Sequence, residues 1–240
     1  MSAPERPRST RGRPAKEPLS FEAVVGAAMD VLAVEGLHAV TMRRVAAALD
    51  TGAASLYVYV AGREALLRAM LDAVAATLEL HEPDADQWRD QLHSLLEEMR
   101  RVLVAHPGLA AITLGDPPTT PAVLRLTENL LGILLAGGIE PQHAAWCCDI
   151  FVQLVTATAS EDEIRRGNQA DDATPKLNQL AQRFAALPSE EFPLLNAYAA
   201  HMVTGDSDQR FRFAIDVILD GAIAASSATA PPQGPEQDGE

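Results

Sequence analysis

An all-helical fold is what this sequence predicts, and three observations support it. Apolar residues recur at every third or fourth position along most of the chain, which is the period of an amphipathic helix. Residues that favour helix starts and helix stops bracket most of these segments. No convincing run of alternating apolar and polar residues indicates a set of paired strands. We therefore expect helices throughout, between two polar chain ends.

The first helix is signalled at both ends. Ser20 supplies a capping oxygen at its start, and Gly36 is a typical residue just past a helix end. The apolar side chains between them fall on one face: Phe21, Val24, Val25, Ala28 and Leu32. Thr41 then caps a short helix that runs through Leu49.

The segment from Leu56 to Val60 is β-branched and aromatic, so its intrinsic propensity favours a strand. It has no second strand to pair with, and we expect the helical context to prevail. Further helices are predicted where apolar stripes begin and end at proline, glycine or capping residues. They cover about 63–80, 88–106, 121–137, 141–167, 176–186, 190–203 and 207–225, with a loop at 168–175.

The charge is distributed unevenly along the 240 residues. The formal net charge is −14, which by itself argues against a nucleic-acid partner, because phosphate binding needs clustered cations. Residues 1–70 nevertheless hold nine Lys and Arg against seven Asp and Glu, whereas residues 71–240 hold ten against twenty-six. One end of the chain can approach DNA, and the rest is repelled by it.

The two cysteines, Cys147 and Cys148, are adjacent and cannot form a disulfide framework. No apolar segment follows the basic N-terminus, and Leu130 to Ile139 is too short to span a bilayer. His143 and Cys147 have the i, i+4 spacing of a metal pair, but no second pair lies nearby. We expect a cytoplasmic protein with no metal, no cofactor and no membrane segment.

Residues 41–60 have the spacing of a helix-turn-helix. Ala46 is small enough for two helices to cross there, and Asp50-Thr51-Gly52 forms a tight turn between them. Three apolar side chains close a small core: Val45, Leu49 and Leu56. Any short helical hairpin needs such residues, so the pattern gains its specificity from the segments on either side.

With those segments included, the chain resembles the TetR family of bacterial transcriptional repressors. The resemblance is carried by F-x-x-V-V-x-A-A-x-x-V-L-A-x-x-G at 21–36, V-T-M-R-R-V-A-A-A-L at 40–49, S-L-Y-x-Y-V at 55–60 and R-E-A-L-L at 63–67. Shorter matches lie at 128–138 and 211–221.

The resemblance implies a homodimer in which a three-helix DNA-binding module is attached to a larger helical bundle for ligand sensing and dimerisation. We place the module at 19–66 and the bundle at 67–225, between a disordered basic arm at 1–18 and a disordered tail at 226–240. The expected partners are a near-palindromic double-stranded operator and a small, hydrophobic effector that releases the repressor from it.

The resemblance also implies DNA contacts. Thr41, Arg43 and Arg63 would meet the phosphate backbone, and Ser55, Tyr57 and Tyr59 would face the major groove. For Tyr57, packing in the small core is an equal alternative. Ala53 and Ala54 can offer methyl contacts to thymine.

The basic arm contains Arg11-Gly12-Arg13-Pro14, which resembles the core of an AT-hook. In that motif Arg11 and Arg13 would enter a narrow minor groove. A basic tail that adds only non-specific affinity is the alternative.

The sequence departs from the family pattern at the turn. Asp50 stands where glycine is usual, and Thr51 where an apolar residue is usual. Asp tolerates left-handed geometry, so we expect the turn to form. The start of the second helix, at Gly52, Ala53 and Ala54, has few polar atoms with which to read bases.

A ligand cavity and a dimer interface are expected in the bundle. Candidate cavity residues are Met99, Leu103, Thr113, Leu130, Leu134, Phe151 and Val155, each of which could equally be ordinary core. The dimer helices would be 139–167 and 207–225, paired with their symmetry mates in a four-helix bundle. Candidate interface residues are Ala144, Ala145, Cys148, Val152, Phe211, Ile215, Ile218 and Ala222.

Two other classes of function remain open from the residues alone. One is a helical ligand-binding or protein-interaction module that no longer reads DNA. It is suggested by the lack of polar side chains at the start of the reading helix and by the strongly negative net charge. The other is an all-helical enzyme, although no nucleophile elbow, phosphate loop or dinucleotide fingerprint occurs.

Overall fold

The computed structural model describes residues 18–113, 119–167 and 173–229. Within these ranges the regular structure is helical, with a 3₁₀ turn at Leu37–Ala39 and no strand, which confirms the all-helical prediction. The helices are α1 (Phe21–Glu35), α2 (Met42–Ala48), α3 (Ala53–Leu56), α4 (Arg63–Ala75), α5 (Trp88–Ala105), α6 (Ala110–Thr113), α7 (Pro121–Ala136), α8 (Pro141–Gly167), α9 (Ala173–Ala185), α10 (Pro193–Ala197), α11 (Ala199–Val203) and α12 (Ser207–Thr229).

The first helix begins and ends at the predicted residues. The Ala23 amide donates to Ser20 Oγ at 3.0 Å, which satisfies one of the free amides at the start of α1. Gly36 ends the helix with φ of 81°, a backbone angle that residues with a Cβ rarely adopt. The inner face of α1 is closed against α2 and α4, and Val24 and Ala28 are fully buried there.

The turn between α2 and α3 forms as expected despite its unusual residue. Ala46 is 1% exposed at the crossing of the two helices. Asp50 takes φ of 49° and is the single non-glycine residue with positive φ in the described part of the chain. The chain after Leu56 continues as hydrogen-bonded turns to Val60, so its strand propensity is overridden.

The larger bundle is organised around α8. This helix packs against α5, α6, α7 and α12, and α5 also packs against α7. Leu92, Leu96 and Phe151 are fully buried between these helices. The small module therefore leads through α4 into a bundle with one long central helix.

Four ion pairs and hydrogen bonds link α5 to α12 at intervals of about one helical turn. We call this set the α5–α12 ladder. Its rungs are Arg89 with Asp220 at 2.8 Å, His93 with Asp216 at 2.9 Å, Arg212 with Glu97 at 2.9 Å and Arg100 with Asp208 at 2.7 Å. The order of the rungs shows that the two helices run antiparallel.

The module and the bundle also touch at the turn between α5 and α6. Gly108 there has φ of 93°, and a Cβ added to it would lie 2.8 Å from Cβ of Leu37. The Gly108 amide donates to Glu163 on α8 at 2.9 Å. This turn is therefore held between the 3₁₀ turn of the module and the central helix of the bundle.

Several predicted boundaries differ from the structure. The helix expected at 190–203 is divided into α10 and α11 at Tyr198. The last helix continues to Thr229, beyond the predicted end at Ala225, and Ser226 bonds the start of α8 by accepting from the Glu140 amide at 3.1 Å. The short α6 was not predicted, because one helical turn has no periodicity to detect. Of the arm predicted at 1–18, residues 1–17 lie outside the described residues, as do residues 230–240 of the tail predicted at 226–240. Residues 226–229 of that tail are helical instead, because they continue α12.

Candidate DNA-reading surface and ligand cavity

Most of the predicted DNA contacts within the helix-turn-helix lie on its exposed surface. Thr41, Arg43, Ala54 and Ser55 are exposed there, whereas Ala53 is half-buried against the module's core. Thr41 Oγ1 also caps α2 by accepting from the Arg44 amide at 3.2 Å. The arrangement presents a hydroxyl, a guanidinium and small side chains at the ends of two adjoining helices.

The two tyrosines of the motif have different surroundings. Tyr57 is 57% exposed. Tyr59 packs against the core, and its hydroxyl donates to the Leu19 carbonyl oxygen at 2.6 Å. In this conformation Tyr57 is the tyrosine of the motif that is available to DNA, whereas Tyr59 links the motif to the residue just before α1. Groove contact by Tyr59, the stronger expectation from sequence, finds no support here.

Arg63 is exposed at the start of α4 and reaches back to the module. Its Nε donates to the Val40 carbonyl oxygen at 2.7 Å, and its Nη2 to the Leu37 carbonyl oxygen at 3.2 Å. The guanidinium thus fixes α4 to the turn before α2, and its phosphate contact stays a prediction. Arg11 and Arg13, the predicted minor-groove residues, lie outside the described residues.

The basic residues of α2 are not equivalent. Arg44 pairs with Glu35 at the end of α1, with a closest approach of 2.5 Å. The hydrogen bonds from Arg44, together with its charge, lower the pKa of the Glu35 carboxyl below its ordinary value. Arg44 therefore joins α1 to α2, while its neighbour Arg43 projects from the module surface.

A cavity of about 540 Å³ lies in the bundle, bordered by α4 through α8. Of the predicted cavity residues, Met99, Leu103, Thr113 and Leu130 line it. The other three are core residues instead: Leu134, Phe151 and Val155. Apolar periodicity identifies the buried face of a helix, but it does not distinguish a filled interior from the wall of a cavity.

The contribution of α4 to the wall was not predicted. Leu71, Val74 and Ala75 of α4 line the cavity, as does Leu78 just after its end. The signal in the sequence is an apolar stripe that continues along this helix well past the three-helix module. The helix that follows the reading motif is thus also one side of the cavity.

The wall also carries polar groups that sequence reasoning missed. Arg68 and Asp149 contribute one cation and one anion, and three threonines stand near the start of α7 or along it, Thr119, Thr120 and Thr127. Thr113 Oγ1 lies 2.7 Å from Thr156 Oγ1 in the buried wall region. The cavity is therefore mainly apolar, with a small number of positions able to orient a ligand.

Cys148 lies on the same wall. Burial raises the pKa of its thiol to about 11, and burial also raises the pKa of Cys147. Both thiols are consequently neutral near pH 7, which makes them poor nucleophiles.

The predicted dimer residues do not form one exposed face. Ala144, Phe211 and Ile215 are almost fully buried within their own chain, and Cys148 and Ala222 are buried nearly as deeply. Ala145, Cys148 and Val152 line the cavity, and Ile218 is half-buried. The residues chosen from the apolar pattern therefore lie mostly on the inward faces of α8 and α12. When a helix is apolar on most sides, its sequence does not show which face packs against its own chain.

An exposed apolar stripe occupies other faces of the same two helices. We call it the α8–α12 stripe. On α8 it includes Trp146, 58% exposed, and Ile150, 43% exposed. On α12 it includes Phe213, 70% exposed, and Val217, 53% exposed. Large apolar side chains at i, i+4 spacing on the surface are unusual for a monomer and indicate an interaction surface.

No helix within the described ranges has the length and apolarity to cross a membrane. Nor does any group of three or more acidic, histidine and cysteine side chains in those ranges form a candidate metal site.

Comparison with known proteins gives the family. Residues 24–70 match the model for bacterial regulatory proteins of the tetR family, and residues 81–225 match the C-terminal domain of tetracycline repressor-like proteins. A transcriptional repressor, DrrR1 of Streptomyces coeruleorubidus, is 31% identical over 88% of this chain and 81% of its own length. A transcriptional regulator of Saccharopolyspora erythraea is 33% identical over 71% of this chain and 73% of its own.

Solved structures agree with this assignment. ActR of Streptomyces coelicolor in complex with actinorhodin superposes with a TM-score of 0.81, at 34% identity, covering 89% of this chain and 100% of that one. Both family models, the relatives and the fold point to the same conclusion. This chain belongs to the TetR family of ligand-responsive, DNA-binding transcriptional repressors.

Proposed function

We propose that the protein is a homodimeric cytoplasmic repressor that binds a near-palindromic operator and is released from it by a largely apolar small molecule. One observation carries the proposal: α4 belongs to both functional regions. Its first residue, Arg63, is bonded to the reading module, and its second half, including Leu71 and Ala75, forms a wall of the cavity. A ligand that displaces this helix displaces the module with it.

The reading surface would contact DNA through α2 and α3. Ser55 and Tyr57 are the exposed polar side chains of the motif's second half, and Ala54 is a small neighbour suited to a thymine methyl group. Thr41 and Arg43 would meet phosphates on the flank. Two such modules in one dimer would bind successive major grooves about 34–36 Å apart.

The dimer would form through the α8–α12 stripe. Two copies related by a two-fold axis would each bury this stripe against the other, which removes Trp146 and Phe213 from water. The strongly acidic bundle would lie away from the duplex, so the charge of the chain favours binding through the module alone.

The effector would be an apolar molecule with a few polar atoms. ActR, about one-third identical to this chain, is known in complex with actinorhodin and with (S)-DNPA. The cavity here combines aliphatic walls with Arg68, Asp149 and threonine hydroxyls. This chemistry favours a hydrophobic ligand that carries oxygen-bearing groups at its edges.

The proposal is tested by selecting bound duplexes from a random-sequence pool and measuring their affinity in a mobility shift assay at several salt concentrations. We expect a discrete complex that resists scrambled competitor and weakens as salt rises. Tyr57→Ala should weaken it by about tenfold or more, whereas Tyr59→Phe, which removes only the bond to Leu19, should change it less. Selection of no preferred sequence would overturn the proposal.

Dimerisation is tested separately by sedimentation. Val217→Arg places a charge in the α8–α12 stripe and should yield monomers at micromolar concentration. Leu194→Arg changes an apolar residue outside the stripe that is more exposed still, 70% on α10 against 53% for Val217, and should leave the dimer intact. Equal behaviour of the two variants would contradict this choice of interface.

A further inference from the structure

We propose that Asp72 is the residue that couples the cavity wall to the reading module, by holding the first turn of α7 onto α4. This inference rests on the proposed function, because it concerns how a repressor of this kind transmits occupancy of its cavity. It assigns the transmission to a single carboxylate in the last turn of α4.

The observation is a helix cap that comes from another helix. Asp72 Oδ1 accepts from the Ala122 amide at 2.7 Å and from the Val123 amide at 3.2 Å. Thr120, the residue at the N-cap position of α7, makes no side-chain capping bond. The capping role that a local side chain usually plays has passed to a residue fifty positions earlier in the chain.

The start of α7 needs this partner. Its first residue is Pro121, which has no amide hydrogen, and the Leu124 amide is satisfied by the Thr120 carbonyl oxygen at 2.9 Å. The two amides between them, of Ala122 and Val123, are the ones that Asp72 accepts from. A negative charge at this position is also favoured by the dipole of the sixteen-residue helix.

Both sides of this contact form the cavity. Leu71, next to Asp72, lines it from α4, and Thr119, Thr120 and Val123 line it from the start of α7. A ligand that pushes on either wall therefore pushes on the Asp72 bonds. At its other end, α4 is fixed to the module by Arg63.

Asp72 is thus a positioning residue between two walls of the cavity. With its bonds intact, a shift of the α7 start moves α4 and the module together. Without them, α7 can yield to a ligand while α4 stays where it is, and only the ligand contacts that α4 makes directly still act on the module.

Thermodynamic reciprocity allows a test without the natural effector. If cavity occupancy alters operator affinity, operator binding must alter the affinity of the cavity for its ligand by the same factor. The proposal places the change that carries this effect at the Asp72 contact, so the start of α7 should respond to DNA. The test measures amide hydrogen exchange over residues 119–127 in the full-length protein, with and without a duplex selected from a random-sequence pool. The variants are Asp72→Ala, Asp72→Asn and the control Glu79→Gln, which removes one exposed carboxylate just after α4.

We expect the wild type and Glu79→Gln to change their exchange rates over this segment by about fivefold or more on binding DNA. Asp72→Ala should bind the duplex within about threefold of wild-type affinity and show a change below about twofold. Asp72→Asn keeps an acceptor oxygen without the charge and should lie between them.

A wild-type response in Asp72→Ala, or no response in the wild type, would overturn the proposal. If Asp72→Ala does not fold, Asp72→Asn decides the question, and a response equal to that of Glu79→Gln would count against coupling. Failure of the proposed function has a different signature, since the protein would then select no duplex at all.

Discussion

The reading module and the sensing bundle use the same helix-on-helix packing but close their interiors differently. In the module, Val24, Val45 and Leu56 are fully buried, and its short helices meet around them with a small residue at the crossing. In the bundle, five helices surround a cavity of about 540 Å³. The region that must keep one shape is filled, whereas the region that must respond to a ligand keeps space inside.

The two regions also differ in charge. Residues 1–70 carry a small excess of Lys and Arg, and residues 71–240 carry a large excess of Asp and Glu. The module can approach a polyanion and the bundle is repelled by it. Filled core and positive balance go together in one region, and open core and negative balance in the other.

The largest effect is expected for leucines that differ only in whether they face the cavity. Leu134→Ala removes a side chain that is fully buried in the core of the bundle, and it should cost about 2–5 kcal/mol of unfolding free energy. Leu103→Ala removes a wall residue that already lacks neighbours on one side, so it should cost about 1–2 kcal/mol. Urea denaturation of both variants measures the difference, and equal costs would mean that the wall is as tightly packed as the core.

An intermediate effect is expected at the contact between the two regions. Gly108→Ala forces a side chain onto a residue with φ of 93° and brings its Cβ to 2.8 Å from Leu37. We expect a loss of about 1–3 kcal/mol, with weaker operator binding because the module is displaced. Thermal unfolding and mobility shift assays measure the two effects. The control is Gly26→Ala on α1, where an added Cβ meets nothing within 4 Å.

The next effect concerns alkylation of Cys148, whose thiol lies on the cavity wall of the bundle. Because burial raises the pKa of Cys148 to about 11, its thiolate is scarce at pH 8, and its rate of alkylation should rise with pH up to that value. At pH 8 we expect alkylation about tenfold or more slower than in urea-unfolded protein. A molecule bound in the cavity should slow it further. Rapid alkylation of the native protein at pH 8 would contradict the buried position.

The smallest effect is expected from the pair that joins α1 to α2. The pKa of Glu35 is lowered by Arg44 in the folded state, so its contribution to stability is present above the ordinary carboxyl pKa and is lost as the pH falls through the lower, folded value. The pair is exposed, and Glu35→Gln should lower Tm at pH 7 by about one degree. The difference in Tm between wild type and variant should shrink as the pH falls below the ordinary carboxyl pKa and disappear once the pH is below the lowered pKa of the folded state.

The sequence predicted the module more fully than the bundle. The caps at Ser20 and Thr41, the crossing at Ala46 and the turn at Asp50 each depend on local chemistry that one residue type reveals. The roles of the two tyrosines depend instead on which side of a single helical turn faces Leu19, which is a property of the folded module. Sequence spacing alone left both open to the groove.

The helices of the bundle were predictable from sequence, but which of their faces point inward or line the cavity was not. Phe211 and Ile215 were as apolar as Phe213 and Val217, and only packing decided that the first two face inward. The cavity wall on α4 and the cap that Asp72 gives to α7 join residues far apart in the chain. Such contacts leave no periodic signal, because nothing in either segment alone requires the other.

The α5–α12 ladder limits how the protein can move. If α12 slid along α5 by one turn in one direction, Glu97 would face Asp216 and Arg100 would face Arg212; in the other direction, Glu97 would face Asp208. Either shift replaces attraction with repulsion at Glu97, whose side chain is about two-thirds buried. The ladder therefore prevents α12, which carries much of the α8–α12 stripe, from sliding along α5. A signal from the cavity can then reach the other subunit as a tilt or a rotation, while translation along this helix is closed to it.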